Sequence, residues 1–550
     1  MLVFSGSRYG SAMSIRGKSR RVAVGAVVVA LYVAAPANAQ VEGATAAQVE
    51  VPDTIVSIMA RPSEWSFLTD RPAQKVRLRA VPVPVADPVD AQPAPAQEEP
   101  WTDAWGQEKN FGLAAAEAYL GNFFPWAFNE IVPGRAALLI SQISPRSWWR
   151  GMTTEFGWDD NQFAVNMFAH PFQGSIYYNS ARGNGFNYFQ GFLFALAGSY
   201  LWECCGETHL PSINDWINTS IGGAAMGEML YRTSSMVLDN TARGSGRAWR
   251  EAGALLINPT RGVTRLVTGN MSRVYANPEN PNDRIPDRMD NLLAFGSRFV
   301  GVGRIADDTK ANAFFDMDLT YGSLLGLTRN KPFDFFTLGL QLNFNDKKAL
   351  SRIQIRGNLW HKDLRTSEDV VSKLIIVQDF DYIDTNAYEF GGQSIGALFL
   401  RRGRLTDRIA LTTQVYGSWM IMGAVNSEYS FAAEIPGIRE RLREYDFGSG
   451  AGGRLGAFLL RDGSRWIDAE YRVQWLNTLN GSNANGEDAY HVIQDLRLRF
   501  LFPLKDRWGV GIDGDVFWRH SYFTAEDFEN VTVRSPQLRV FATWHPTREN

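Results

Sequence analysis

WGVGIDGDVFW, residues 508–518, sets large apolar side chains against glycine and aspartate with a period of two. Trp508, Val510, Ile512, Val516 and Trp518 fall on one face of an extended strand. Gly509, Gly511, Asp513 and Asp515, with Arg519 beyond, fall on the other. The alternation recurs upstream. Phe315, Met317, Leu319 and Tyr321 oppose Asp316, Asp318 and Thr320, and Phe336, Leu338, Leu340, Leu342 and Phe344 oppose Thr337, Gly339, Gln341 and Asn343. Leu496, Leu498, Phe500 and Phe502 oppose Asp495, Arg497 and Arg499, while Asp468, Glu470, Arg472 and Gln474 share one face between Trp466 and Trp475. About twelve such segments lie between Leu293 and Pro546, separated by Asp, Asn, Gly and Lys turns.

Each segment is roughly 10 residues, the length a tilted strand needs to cross hydrocarbon. A soluble β-domain also alternates, but it hides its apolar face and rarely repeats aromatic strand ends so regularly. The pattern predicts an antiparallel transmembrane β-barrel of about 12 strands over residues 291–546. Charges of both signs on the second face predict a filled interior over an open pore. Leu538, Val540, Ala542 and Trp544 read as the last strand, with a tail from His545 to Asn550 longer than such barrels usually carry. The glycine run Gly448 to Gly453 precedes no helix and reads as a strand bend, not a phosphate cradle.

The other end of the chain reads as an export signal. Arg16, Lys18, Arg20 and Arg21 precede the apolar run Val22 to Ala35, and Ala37-Asn38-Ala39 gives an A-x-A cleavage site before Gln40. The run is shorter than the roughly 20 residues needed to span a bilayer, so residues 1–39 read as a cleaved signal peptide, not an anchor. Residues 40–110 read as a linker, because VPVPVADPVDAQPAPAQEEP (81–100) is rich in Pro and Ala. Such a tether can cross periplasmic space, meet a neighbouring envelope protein, or simply remain disordered.

Composition agrees with the membrane reading. Aromatic residues make up 13% of the 550, a share usual where rings sit at membrane interfaces. A formal net charge of −3 and the absence of a basic block exclude a nucleic-acid surface. The only cysteines, Cys204 and Cys205, are adjacent, so no disulfide framework staples the chain. Two buried thiols are expected there, with a vicinal disulfide as the strained alternative.

Between linker and barrel, residues 111–290 read as a helical domain. Asp159 to His170 reads as one helix ended by Pro171, Phe172 to Ala181 as a second, and Phe186 to Glu203 as a third. A fourth starts at the capping-box pattern Ser212-Ile213-Asn214-Asp215 and runs to about Leu238. Each helix carries polar residues four apart, hence on one face: Asn166 with His170, Tyr178 with Arg182, Ser199 with Glu203, and Glu228 with Arg232. Glu207, Asn214, Asp215 and Thr219 are near enough in sequence to join them. Buried polar groups cost a few kcal/mol each without partners, so these residues are expected to share one network. Gly223 to Gly227 is a small-xxx-small patch that lets another backbone approach.

The string Asn166…His170-Pro171…Gly174…Tyr178…Arg182, then Trp202-Glu203…Glu207, Pro211-Ser212-x-Asn214-Asp215 and Gly227-Glu228-x-x-Tyr231-Arg232, resembles the domain of unknown function 3943 family. Asn258-Pro259-x-Arg261-Gly262-x-x-Arg265 resembles its downstream motif. The resemblance covers about residues 159–269. It implies a Gram-negative envelope protein without an established activity.

The network admits three readings. It can be structural, fixing how the helices dock against or inside the barrel. It can bind a lipid, ligand or protein partner. It can be an active site, with His170 as acid or base, Glu203 or Glu228 orienting it, and Arg182 or Arg232 clamping a lipid phosphate. The sequence contains no nucleophile elbow (its one G-x-S-x-G string, Gly392 to Gly396, leads into no helix), no H-E-x-x-H and no P-loop, and it implies no cofactor. His170, Glu203, Glu207 and His209 are metal-capable residue types, but they lack a recognised ligand spacing, and no metal is assigned to them. The expectation is an outer-membrane barrel with a periplasmic or lumen-plugging helical domain. Its role would be structural, or the binding of outer-membrane lipid or an envelope partner; the alternative is an envelope enzyme acting on lipids through His170, Glu203, Glu228 and Arg232.

Overall fold

Twelve strands pair antiparallel in sequence order, and the last closes on the first. They are β1 (Met289–Val300), β2 (Lys310–Tyr321), β3 (Phe336–Asn343), β4 (Leu350–Thr366), β5 (Val370–Asp384) and β6 (Glu389–Arg404). After them come β7 (Ile409–Asn426), β8 (Tyr445–Arg461), β9 (Ser464–Thr478), β10 (Ala489–Pro503), β11 (Trp508–Phe523) and β12 (Val531–Trp544). Helices precede the barrel, so the class is α+β, as the alternation predicts. The structure is a computed structural model that describes Trp105, Ser482 and residues 108–131, 142–301, 310–344, 348–385, 388–427, 443–479, 488–505, 507–524 and 528–545. The signal peptide and nearly all of the linker lie outside these residues. Trp105, within the stretch read as linker, packs with Tyr231, Leu238 and Ala254.

The inward face is identified by bonds that only the interior can hold. Arg454 of β8 reaches Asp379 of β5 at 3.4 Å, Arg472 of β9 reaches Asp381 of β5 at 3.4 Å, and Arg499 of β10 reaches Asp318 of β2 at 2.8 Å. None of these strands are neighbours in the sheet. Asp316 of β2 is shared by Arg352 at 2.6 Å and Arg539 at 3.4 Å, and Asp513 of β11 by Arg499 at 3.0 Å and Arg539 at 2.9 Å. This belt leaves cavities of ≈ 310 Å³ and ≈ 230 Å³ that meet at Arg352, Gln354, Glu470 and Arg497. The filled interior expected from the charge pattern is present.

Strand alternation then puts Gln378, Phe380 and Tyr382, which flank Asp379 and Asp381, on the outer wall. That part of the wall is covered by helices. Phe163 stacks on Tyr382 with ring centroids 5.7 Å apart, and Trp158 stacks on Phe447 at 5.6 Å. Asn166 donates to the Tyr445 hydroxyl at 2.7 Å, and Gln378 donates to the Ile221 carbonyl at 2.9 Å. One apolar core joins Met167, Phe168, Met226 and Met229 to Leu340, Ile353, Ile355 and Phe380. The covered band runs diagonally from Tyr321, at the end of β2, to Phe447, near the start of β8.

Lumen plugging is thus corrected. Paired charges already fill the interior, and the apolar helix faces match the apolar outer wall. Elsewhere the wall is bare: Phe295, Leu496, Leu498, Val510, Ile512 and Val540 are exposed.

The helical region comprises α1 (Phe111–Ile131), α2 (Pro145–Thr153), α3 (His170–Gly183), α4 (Tyr188–Leu201), α5 (Ile213–Ile217), α6 (Gly223–Val237), α7 (Gly244–Ile257) and α8 (Pro259–Val267). Three π-helical turns interrupt it, at Val165–Ala169, Trp202–Gly206 and Asn218–Gly222. None of the described helices is long and apolar enough to cross a membrane.

Pro171 does not end a helix, contrary to expectation. The wide turn Val165–Ala169 leads straight into α3, with the His170 N–H donating to the Val165 carbonyl. In that register the Asn166 carbonyl would look to residue 171, which has no N–H. The Asn218 side chain reaches that carbonyl instead, at 3.4 Å. The capping box at Ser212 is also absent. Ser212 makes no side-chain cap, and its N–H donates to Glu203 at 2.8 Å, so the acid comes from another helix.

Candidate functional site

The residues expected to form one network divide into two groups. In the first, Glu228 of α6 receives Arg182 Nε at 2.7 Å, Arg232 Nε at 2.8 Å and the Tyr178 hydroxyl at 2.8 Å. Glu228 is fully buried. Burial alone would raise its carboxyl, but Arg182 and Arg232 outweigh it and hold the group below its ordinary value. Arg232 continues to the barrel, donating to Asp334 and to the Pro332 carbonyl, each at 2.8 Å, in the β2–β3 connection. The Arg182 and Arg261 guanidiniums lie over the Tyr231 ring at 4.2 and 4.0 Å. Both Glu228 oxygens are used, so this group docks helices and offers no open coordination.

The second group is acidic and less satisfied. His170 Nε2 stands 3.5 Å from Asp215 Oδ1, longer than a hydrogen bond. Asn214 donates to Asp215 Oδ1 at 2.8 Å and accepts from the Asp159 N–H at 2.9 Å. Glu203 Oε2 accepts from Ser212, while Glu203 Oε1 is buried without a partner. Burial pushes the Glu203 carboxyl up to about 8, against the Ser212 N–H and with repulsion from Asp159. Asp215 and Glu207 are held well above the carboxylate range by burial and then by neighbouring acids. Burial lowers His170, opposed by Asp159, so its ring is neutral near pH 7.

The π-helical turns explain the division. A wider turn rotates residues four apart off a common face, so Asn166 and His170 separate, as do Ser199 and Glu203. Asn166 goes to the wall, and the buried Ser199 hydroxyl has no partner. Only Tyr178 with Arg182 and Glu228 with Arg232, on regular α3 and α6, meet as the spacing implies. The proposed quartet His170, Glu203, Glu228 and Arg232 is therefore split between the groups. Thr219, also buried, lends its backbone carbonyl to the approach of Gly174.

Asp159 was legible only as a helix start. Its exposed partner Asp160 makes it look solvated, and nothing in the spacing points toward His170. Cys204 and Cys205 close the second π turn as a vicinal disulfide, which corrects the expectation of two thiols.

The downstream motif is structural. Asn258 caps α8 by accepting from the Arg261 N–H at 3.0 Å and donates to Asn179 at 2.8 Å. Arg265 is bidentate to Glu251, with bonds of 2.9 and 2.8 Å. Glu117 of α1 accepts from Asn184 at 2.9 Å and Thr264 at 2.8 Å, and burial carries its carboxyl to about 7 from 4.5. The folded state then holds this proton where the unfolded chain releases it. Stability should fall as pH rises from about 4.5 to about 7, and Glu117→Gln should flatten that limb of the melting-temperature profile.

Fold and geometry define a closed barrel with a helical layer, a fold that resembles outer-membrane β-barrel proteins. A family model described as Domain of unknown function (DUF3943) matches residues 155–260, the segment holding both polar groups. No curated protein matches the chain. Similar solved structures include the NanC porin, at 7% identity and TM-score 0.22, covering 45% of this chain and 98% of that one. The CymD monoaromatic hydrocarbon channel matches at 8% identity and TM-score 0.20, over 50% and 92%. The translocator domain of autotransporter NalP from Neisseria meningitidis matches at 11% and 0.19, over 46% and 88%.

Proposed function

We propose that this is an outer-membrane protein whose barrel anchors and does not conduct, and whose helical layer binds envelope lipid beside the barrel wall. The observation that carries this reading is the outer surface. The apolar face of the bare strands continues over the helices, where Phe189, Leu193, Trp249, Leu255 and Leu266 are exposed while Arg247, Glu251, Arg261 and Arg265 of α7 and α8 are buried. An apolar exterior around a polar centre is the arrangement hydrocarbon favours. The charged belt across the lumen argues against transport. The turns 367–369, 405–408, 462–463 and 504–507 are short and share an end with Met289, Trp544 and the longer 322–335, while the longest connection, 427–444, lies opposite. This matches the usual periplasmic and external ends.

The enzyme reading through His170, Glu203, Glu228 and Arg232 is not adopted, because the four do not share a centre. The test places arginine on each surface in liposomes. Leu498→Arg on β10 and Leu193→Arg on α4 should each cost about 2–4 kcal/mol in urea unfolding at membrane depth. At a water-facing site the same changes would stay within about 0.5 kcal/mol. A silent Leu498→Arg would remove the barrel from the membrane, and a silent Leu193→Arg would remove the helical layer from lipid.

A further inference from the structure

We propose that Asp159, His170 and Asp215, with the buried acid Glu203 in the same polar group, form a binding site for a first-row divalent metal ion of the zinc or manganese class. One ligand atom from each of Asp159, His170 and Asp215 lies within 4.8 Å of the others. The 3.5 Å separation of His170 Nε2 from Asp215 Oδ1 is poor for a hydrogen bond. It suits two ligands of one ion, because bonds of about 2.1 Å at a tetrahedral angle place donor atoms about 3.4 Å apart.

An independent observation points the same way. Glu203 is 1% exposed, and one of its oxygens has no partner. Among the described residues no arginine or lysine pairs with Glu203, Asp215 or the Asp159 carboxylate. Arg443, the nearby cation, donates to the Asp159 carbonyl at 3.1 Å and approaches Asp160 at 3.8 Å. An acid buried this way has to hold either a proton or a cation. The contrast is Glu228, which has two arginines.

The surroundings are built for ligation. Asn214 donates to the Asp215 carboxylate, the kind of outer hydrogen bond that orients a metal ligand, and accepts from the Asp159 backbone N–H. His170 and Glu203 both lie at π-helical turns, which recur at functional sites. Asp159 is half-buried and gives the ion a way in. One imidazole among carboxylates favours zinc or manganese over the all-oxygen preference of calcium and magnesium. The site depends only on the placement of these residues relative to one another, so it stands whether or not the helices face lipid.

The experiment uses the full chain purified from membranes in detergent, stripped with EDTA, and titrated calorimetrically with zinc, manganese and calcium chlorides without reductant. One saturable zinc or manganese site per chain is expected, with calcium at least about 10-fold weaker. His170→Asn and Asp215→Asn should weaken binding by at least about 10-fold, while His209→Asn, at an exposed neighbour, should not. Heat-modifiable migration on a gel verifies that each variant is folded. No saturable binding by the folded parent, calcium binding as tight as zinc and manganese, or unchanged affinity in folded His170→Asn would overturn the proposal. If the variants do not fold, elemental analysis of the unstripped parent decides: near-stoichiometric zinc or manganese upholds the site, and its absence overturns it.

Discussion

Glu228→Ala should destabilise the helical layer by about 3–5 kcal/mol, the cost of leaving buried charges without their partner. The loss is large because Glu228 satisfies three donors at once: Arg182, Arg232 and the Tyr178 hydroxyl. Without it, two guanidiniums remain in a region where water cannot reach them. Arg232 still holds Asp334 and Pro332 of the barrel, so it cannot swing to solvent without undocking α6 from the wall. Urea unfolding in detergent, followed by protease sensitivity of the helices, measures the effect. The barrel should keep its heat-modifiable migration, since its own charge belt is untouched. Replacing the trio together, as Glu228→Leu with Arg182→Met and Arg232→Met, should recover part of the loss, because it removes all three buried charges and Asp334 keeps Arg329 at 3.2 Å, while the Tyr178 hydroxyl and the Pro332 carbonyl lose a partner. A loss below about 1 kcal/mol in Glu228→Ala would mean that the arginines find other partners, and the network would not be what docks the helices.

Periodicity decided how much of this was legible in the sequence. A strand has a period of two that bends and bulges only shift locally, so Asp316, Asp318, Arg497 and Arg499 could be assigned to one face without coordinates, and Arg499 meets both aspartates across the lumen. Helix period is more fragile. Three π-helical turns lie between Val165 and Gly222, and each rotates the residues beyond it, so side chains four apart in the sequence reach different partners. Pro171 is the clearest case: its own backbone marks a helix stop, yet an upstream wide turn makes room for it. The place of the helical layer was hidden for another reason. An apolar strand face matches lipid and apolar helices equally well, so Phe380 and Tyr382 look like Leu498 and Ile512 in sequence. Their difference lies in which helix stands opposite, and no local pattern records that.

Gly174→Val tests the docking of the helices at its narrowest point. A Cβ at residue 174 would lie 1.7 Å from the Thr219 carbonyl oxygen and 2.7 Å from its carbon, and one at Gly223 would lie 2.5 Å from the Gly174 carbonyl carbon. The obstacles are backbone atoms, which cannot rotate aside as a side chain could. Relief requires the segments to separate, and they hold both polar groups: Arg182 faces Glu228 further along, and His170 faces Asp215 at the other end. Overpacking in a core costs about 1–3 kcal/mol where side chains can yield. Here the loss should reach about 3 kcal/mol or more, since hydrogen bonds at both ends lengthen as well. Gly246→Ala supplies the contrast, because nothing lies within 4 Å of its Cβ position and it sits inside α7. That change should stabilise by up to about 1 kcal/mol through helix propensity alone. Melting curves of the two variants should therefore move in opposite directions. Were Gly174→Val to melt with the parent, α3 and the turn Asn218–Gly222 could not be in backbone contact, and the two polar groups would lose the geometry on which both roles depend.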